Sequence, residues 1–351
     1  MSQPVMIDGL YGEGGGQIIR TALSLAAITG QAVEIVNIRS RRSKPGLQPQ
    51  HLTAVQAAAA ICNAEVAGAA VGSTRLRFAP QSSPQPGNYR WDIGTAGATT
   101  LVAQTVLLPL ALAAGPSRVT ITGGTHVPHA PAVEYLEGVY LPMLRHAGCA
   151  VRMDSPRAGF YPRGGGEITL DIAGGYRPQA IHLVERGNLR ALHATIVTAG
   201  LPAHVAERGA ATLELMTRSF SFGPRFTITK REQPSHGRGA AVVITAEYDG
   251  GFGGFSALGA RGVPMDTVAG QACIDFLNWW DARTGYAACD EHLADQLVLP
   301  AALARGESRW SAPVVSEHLR TALWVAQQFL PITVTIDAPD GAPGIITLCR
   351  D

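Results

Sequence analysis

The chain has 351 residues, 46% of them hydrophobic, and 28 Lys plus Arg stand against 27 Asp plus Glu, a formal charge of +1 at pH 7. That length exceeds the ~250–300 residues at which one core stops growing, so two domains are expected. The near-zero charge excludes a protein that holds nucleic acid by a global basic field, so any anion recognition has to be local.

The five cysteines, Cys62, Cys149, Cys273, Cys289 and Cys349, are scattered and form no C-x-x-C pair. This argues against a disulfide framework or a zinc ribbon and fits a reducing cytoplasm. The start "MSQPVMIDGL" lacks a basic region followed by an apolar one, and no stretch reaches ~18 uninterrupted apolar residues. A soluble protein is expected, neither secreted nor membrane-spanning.

The first element in chain order is "DGLYGEGGGQIIRTALSL", Asp8 to Leu25, which sets Gly12, Gly14, Gly15 and Gly16 around Glu13 and runs into an apolar-periodic helix carrying Arg20. Backbone N–H groups clustered at a helix N-terminus suit an anion, and a carboxylate beside them suits a phosphate only with a divalent metal between. A tight turn with a capping acid is the plainer reading. The run is no P-loop, because Gln17 follows Gly16, and G-x-G-x-x-G counted from Gly12 would need glycine where Gln17 stands.

The strand "AVEIVNIR" follows, then Arg39, Arg41, Arg42 and Lys44, whose guanidinium forks match phosphate oxygens or simply make a solvated basic loop. The helix "QHLTAVQAAAAIC" and strands near "AEVAG" and "STRLRFAP" complete a first unit. A second unit repeats the shape with "TTLVAQTVLLPLALAAG", "SRVTITGG", "AVEYLEGVYLPMLRHAG", "CAVRMD" and "GEITLDI". The stretch between, 176–291, breaks the pattern. It has its own strands ("LHATIVTAG", "FTITKRE", "AAVVITAEYDG") and helices ("HVAERGAATLELMT", "TVAGQACIDFLNWW"). Its "YDGGFGGFSALGARG" reads as a mobile loop or a surface hairpin.

From His292 the pattern resumes with "HLADQLVLPAALARG", "SRWSAP", "EHLRTALWVAQQFL", "ITVTIDA" and "GIITLCR", and "AQTVLLPLALAAG" resembles "DQLVLPAALARG" closely enough for a true repeat. The expected fold is therefore α+β. Three repeated units, βαβαββ-like with helices on one sheet face, form a large domain of residues 1–175 and 292–351, and a smaller α/β domain, 176–291, is inserted before the third unit.

The only lysines are Lys44 and Lys230, and neither precedes x-Asp-Gly, so the lysine-adenylate chemistry of common nucleic-acid ligases has no carrier. His126 and His129 have an H-x-x-H spacing, but the proline between them and the lack of a helix count against metal binding. His51 and His318 hold matching places in units one and three, each opening a second helix, where a neutral imidazole can attack phosphorus or merely cap the helix.

Taken together, "DGLYGEGGGQIIRTALSLAAITG", "IRSRRSKPGLQPQHLTAVQA", "GGT" followed by "AP" at Gly123 to Pro131, "GFYPRGGGE", "LPAHVAERGA", "HLADQLVLP" and "SEHLRTALWVAQQFLP" resemble the RNA 3'-terminal phosphate cyclase family, in order and over nearly the whole chain. The resemblance implies an ATP-dependent enzyme that converts an RNA 3'-phosphate to a 2',3'-cyclic phosphodiester through a histidine adenylate and an RNA(3')pp(5')A intermediate. It places the nucleophile at His318 and a divalent metal, Mg or Mn, at Glu13. ATP contacts fall on Gln104, Pro131, Phe252, His292, Leu293, Ala294, Asp295 and Gln296, and phosphate or RNA contacts on Arg20, Arg39, Arg42 and Gln50.

The chain departs from the family pattern at His292, where a tyrosine is usual, and at Arg41, where the family has a small residue. A non-catalytic ribosome-assembly relative of the same fold lacks the nucleophile and is disfavoured by His318. An enolpyruvyl transferase, built from similar units, would have no inserted domain.

Overall fold

The computed structural model describes residues 3–218, 225–281, 287–339 and 341–351. The first unit contains β1 (Val5–Asp8), α1 (Gly16–Thr29), β2 (Val33–Val36), α2 (Pro49–Cys62), β3 (Glu65–Ala67) and β4 (Leu76–Ala79). Its sheet order is β1-β2-β4-β3, with β1 parallel to β2 and the other pairs antiparallel. The second unit, β5 (Asn88–Asp92), α3 (Thr99–Leu112), β6 (Ser117–Gly123), a helical segment, β7 (Val151–Arg157) and β8 (Gly166–Ile172), repeats the wiring as β5-β6-β8-β7.

Its helical segment runs as α4 (Val133–Tyr135), a π turn (Leu136–Tyr140) and α5 (Leu141–His146). Pro142 explains the widening: it has no N–H to give Gly138, and its ring presses on that carbonyl.

After β9 (His182–Leu183) comes the inserted sheet, β11-β10-β12-β13, made of β10 (Leu189–Ala199), β11 (Thr227–Glu232), β12 (Gly239–Tyr248) and β13 (Gly251–Leu258). It is covered by α6 (Ala203–Arg218) and α7 (Met265–Trp280). The chain closes with α8 (Glu291–Gln296), α9 (Val298–Leu303), β14 (Gly306–Ala312), α10 (Glu317–Phe329), β15 (Ile332–Asp337) and β16 (Gly344–Arg350). Among these strands the order is β9-β14-β16-β15, with β9 parallel to β14, the same wiring a third time.

Two features differ from the sequence reading. Each unit opens with a short strand that the run of named elements does not assign, and the third unit's, β9, lies inside the stretch 176–291. Two residues are too few to carry a period-2 signal. Of the two readings of the glycine-rich segment after Tyr248, the hairpin holds and the mobile loop does not: β13 pairs antiparallel with β12 from Tyr248↔Gly251 through Ala241↔Leu258, though its first four residues are buried and not at the surface. Glycine serves close approach here, since a Cβ on Gly253 would lie 2.7 Å from the Trp279 ring.

One apolar core runs through all three units, including Ile7, Leu23, Val106, Leu144, Trp310 and Leu348. A separate cluster around Ile196, Ile244, Phe276 and Trp279 fills the insert. Where the chain enters and leaves the insert, Glu185 bridges Ala287, and buried Arg186 donates to the carbonyls of Ala287 and Trp279 while its guanidinium lies 3.8 Å from the Trp279 ring centre. The charge is thus held by carbonyl dipoles and a π face.

Candidate active site

A cavity of about 720 Å³ lies between the repeated units and the insert, in the size range of small-molecule sites. One wall carries Gln17 and Arg20 from α1 and Gln104 from α3, and the facing wall carries Phe255 and Trp279 of the insert. His292, Asp295 and Gln296 of α8, Pro131 and His318 complete it.

Ser316 caps α10, its hydroxyl accepting from the Leu319 N–H at 3.2 Å, and this holds the turn that presents His318. His318 Nδ1 lies 2.7 Å from Gln17 Oε1, so Nδ1 carries the hydrogen; the neutral ring then has its lone pair on Nε2, and the approach of Nε2 to the Glu13 carboxylate is attractive only while Nε2 is protonated. Nε2 is 3.1 Å from Glu13 Oε2, and Arg42 Nη2 donates to the same oxygen at 2.8 Å. Burial lowers the His318 pKa below its ordinary 6.5; Glu13 opposes the shift, and Arg20, His292 and Arg42 add to it.

The glycine turn fits this geometry tightly. Gly12 has φ +55°, and a Cβ there would stand 2.1 Å from Thr321 Oγ1 of α10. No side chain caps the N-terminus of α1, which leaves its first amides open to an anion.

His51, the counterpart of His318, is used differently. It is buried, and its Nδ1 accepts from the Gln48 N–H at 3.1 Å, closing a capping box at α2. Burial first, then Arg20 and Arg39, push its pKa down to about 3, so it stays neutral. Arg39 has φ +52° and braces its own loop, donating to the carbonyls of Lys44 at 2.7 Å and Gly46 at 3.1 Å. Gln50 Oε1 accepts from the Ala98 N–H at 2.9 Å, tying unit one to the start of α3. Arg20 is partly buried beside Asp295, and burial lowers its pKa to about 10.

In the same cavity, Gln104 Nε2 and Gln296 Oε1 are buried without hydrogen-bond partners, a donor and an acceptor. Buried polar atoms are rarely left so, and a ligand would satisfy them. Pro131 lines the same region, its carbonyl fixed by the Thr100 hydroxyl at 2.9 Å. Phe252, Leu293 and Ala294 are buried in the core and do not line the cavity. On α8 the helical period sends His292, Asp295 and Gln296 one way and Leu293, Ala294 and Leu297 the other.

The sequence reading missed Gln17 and Asp290. Asp290 is 1% exposed and caps α8, with Oδ1 accepting from the N–H groups of His292 at 2.8 Å and Leu293 at 2.9 Å. Its Oδ2 takes the Gly254 N–H at 2.9 Å, and the Tyr135 hydroxyl lies 3.1 Å from both oxygens. An aspartate just ahead of "EHLADQ" is a readable cap signal. The H-x-x-H pair forms no metal site: buried His126 is filled by Thr125 Oγ1 at 2.8 Å and Glu134 Oε2 at 2.7 Å. Among the described residues no group of three or more His, Cys, Asp or Glu could hold a metal ion.

Burial pushes Asp295 up to about 7, with His292 and Arg20 opposing. A carboxyl whose folded pKa exceeds its unfolded value binds its proton more tightly when folded. Its contribution to stability is therefore complete below the unfolded pKa of about 4 and lost as pH rises through about 7. Asp295→Asn is expected to flatten this dependence, raising Tm at pH 8 relative to wild type and little at pH 4. Parallel Tm–pH curves for the two proteins would refute it.

The profile of the RNA 3'-terminal phosphate cyclase family matches residues 11–336. The chain belongs to this family. The match takes in the glycine turn, the insert and α10. The RNA 3'-terminal phosphate cyclase of Trichormus variabilis is 46% identical over 329 residues, covering 92% of this chain and 93% of that protein. That of Methylococcus capsulatus is 45% identical over 349 residues, 97% and 95%. That of Pyrobaculum neutrophilum is 41% identical over 334 residues, 95% of each. No helix among the described residues is long and apolar enough to cross a membrane.

Proposed function

We propose that this protein is an ATP-dependent RNA 3'-terminal phosphate cyclase, of the ligase class, working through a His318 adenylate. The observation that carries the reading is His318 itself: Gln17 fixes its tautomer and points Nε2 at Glu13, in a cavity that also holds two unpartnered carboxamide atoms. In this reading Nε2 attacks the α-phosphorus of ATP, the bond to the β-phosphate oxygen breaks, and pyrophosphate leaves. The RNA 3'-phosphate then attacks the adenylyl phosphorus and breaks the P–N bond, giving RNA(3')pp(5')A. The neighbouring 2'-hydroxyl attacks the 3'-phosphorus, AMP departs, and the proton goes to solvent. Proximity carries this last step, because the hydroxyl is already in place.

The residues fit a nucleotide with adenine toward Gln104, Gln296 and Pro131 and phosphates toward Arg20, Arg42 and the open amides of α1. Glu13 is a single carboxylate whose oxygen already holds the Arg42 cation. Mg or Mn would therefore take its other oxygen, with water and phosphate oxygens completing the shell. Such an ion, when bound, would neutralise triphosphate charge. We place the reaction in a reducing cytoplasm, which the free state of the cysteines suits.

The test is incubation of wild type with α-labelled ATP and divalent metal, without RNA. Acid-labile, base-stable label on the chain supports the reading, and its absence from folded protein refutes it. The pH profile adds a check. Attack requires the neutral imidazole, so the acid limb of labelling should be centred below the ordinary imidazole value of 6.5. Glu13→Gln, which removes the opposing charge, should move that limb further toward acid. A wild-type limb centred above pH 7 would contradict the geometry.

A further inference from the structure

Two residues before Glu13, Tyr11 projects from the glycine turn with 41% of its surface exposed. Its ring lies parallel to that of Trp324, centroids 4.0 Å apart and planes within 9°. Trp324 is half-buried and packs against the large core, while Tyr11, stacked on it, is exposed, so one face of the phenol is covered by the indole. On α10, Trp324 comes six residues after His318, roughly 9 Å along the axis.

The flank is cationic: Arg41 Nη1 reaches to 3.5 Å of the Gly12 carbonyl, Arg42 holds Glu13 with 41% of its side chain exposed, and Lys44 is exposed in the same loop. Glu317 is also close, its carboxylate 3.4 Å from where a Gly12 Cβ would stand, and a polyanion would favour the arginines over it. An open aromatic face beside arginines is how single-stranded nucleic acid is held without reading its sequence.

We propose that Tyr11, backed by Trp324, is the stacking platform for the 3'-terminal nucleobase of the RNA, with Arg41 steering the backbone beside it. This rests on the RNA reading above. The platform accepts any base, because each has a π face, and it orients the terminal ribose so that the 3'-phosphate faces His318.

The test compares KM for two 3'-phosphorylated oligoribonucleotides, one complete and one abasic at its last position, in wild type, Tyr11→Phe, Tyr11→Leu and Tyr11→Ala. Leucine keeps apolar packing on Trp324 without a π face. Wild type and Tyr11→Phe are expected to show a KM about 10-fold lower for the complete oligonucleotide, the effect of one base stack. In Tyr11→Leu and Tyr11→Ala the two KM values should converge. A pair of residues that only packs the turn against α10 would leave base discrimination untouched. Discrimination surviving in both Tyr11→Leu and Tyr11→Ala overturns the platform while the cyclase reading stands. A wild type that labels with ATP but turns over neither oligonucleotide removes the RNA reading and the platform with it.

Discussion

Replacing His318 with alanine is expected to reduce protein-bound AMP formation by at least about 10⁴-fold, since loss of the attacking group leaves only binding and electrostatic help. His129 and His292 also line the cavity, but the contacts to Gln17 and Glu13 belong to His318. His51 is buried with Nδ1 committed to α2, and its pKa of about 3 reflects burial and two arginines. His292 is exposed on the cavity wall but belongs to α8, where no side chain fixes its ring in the way Gln17 fixes His318. The substitution should leave the fold intact, because His318 is partly exposed and its side-chain partners are Gln17 and Glu13. A folded His318→Ala that labels within 10-fold of wild type would end the assignment.

Asp290→Ala is expected to lower stability by about 3–5 kcal/mol and Tm on the order of 10 °C. Two effects compete. Removing a buried carboxylate relieves its desolvation, the cause that raises its pKa. The change also strands the N–H groups of His292, Leu293 and Gly254 and the Tyr135 hydroxyl, and Leu293 and Tyr135 are themselves buried. Several orphaned donors outweigh one relieved charge, since each unsatisfied buried group costs about 1–3 kcal/mol. Because these donors come from the second unit, the insert and α8, loss should also loosen the cavity and raise KM for ATP. Urea unfolding within 1 kcal/mol of wild type would show that water fills the gap.

The threefold repeat was legible because α1 and α10, of 14 and 13 residues, carry strong apolar periodicity, and α3 reads as one long apolar run that is buried nearly all round. The first strand of each unit was expected from the βαβαββ pattern but not located. β5 alternates exposed and half-buried residues at an edge, and β9 spans two residues, so pairing across long separations and not local pattern creates them. Composition misled at β13, where glycine answers the nearness of Trp279 and Tyr135 and not a need for flexibility. Within the candidate site, the residues quoted from "HLADQ" separated by helical phase: alternate positions cannot all face one cavity. Phe252 lies in β13 with its ring in the core, a placement decided by its bridge to Cys289. Glu13, His318 and Arg42 meet across about 300 residues of chain, a closeness that only the glycine turn hinted at.

The strand β9 has a consequence for the order of assembly. It joins β14 before the insert has begun, and the Ile181 N–H bonds to Ser308 across a separation of 127 residues. Closing a flexible loop of that length would cost about 4 kcal/mol in chain entropy. The insert removes most of that burden once it folds on its own core, because its sheet and the Glu185–Ala287 bridge bring the two ends side by side. Within the third sheet only the β9–β14 pairing is non-local, since β14, β15 and β16 pair within residues 306–350. The third unit also carries α10, whose His318 meets Gln17 and Glu13 of the first unit about 300 residues away, so the site is complete only when the two ends of the chain have met.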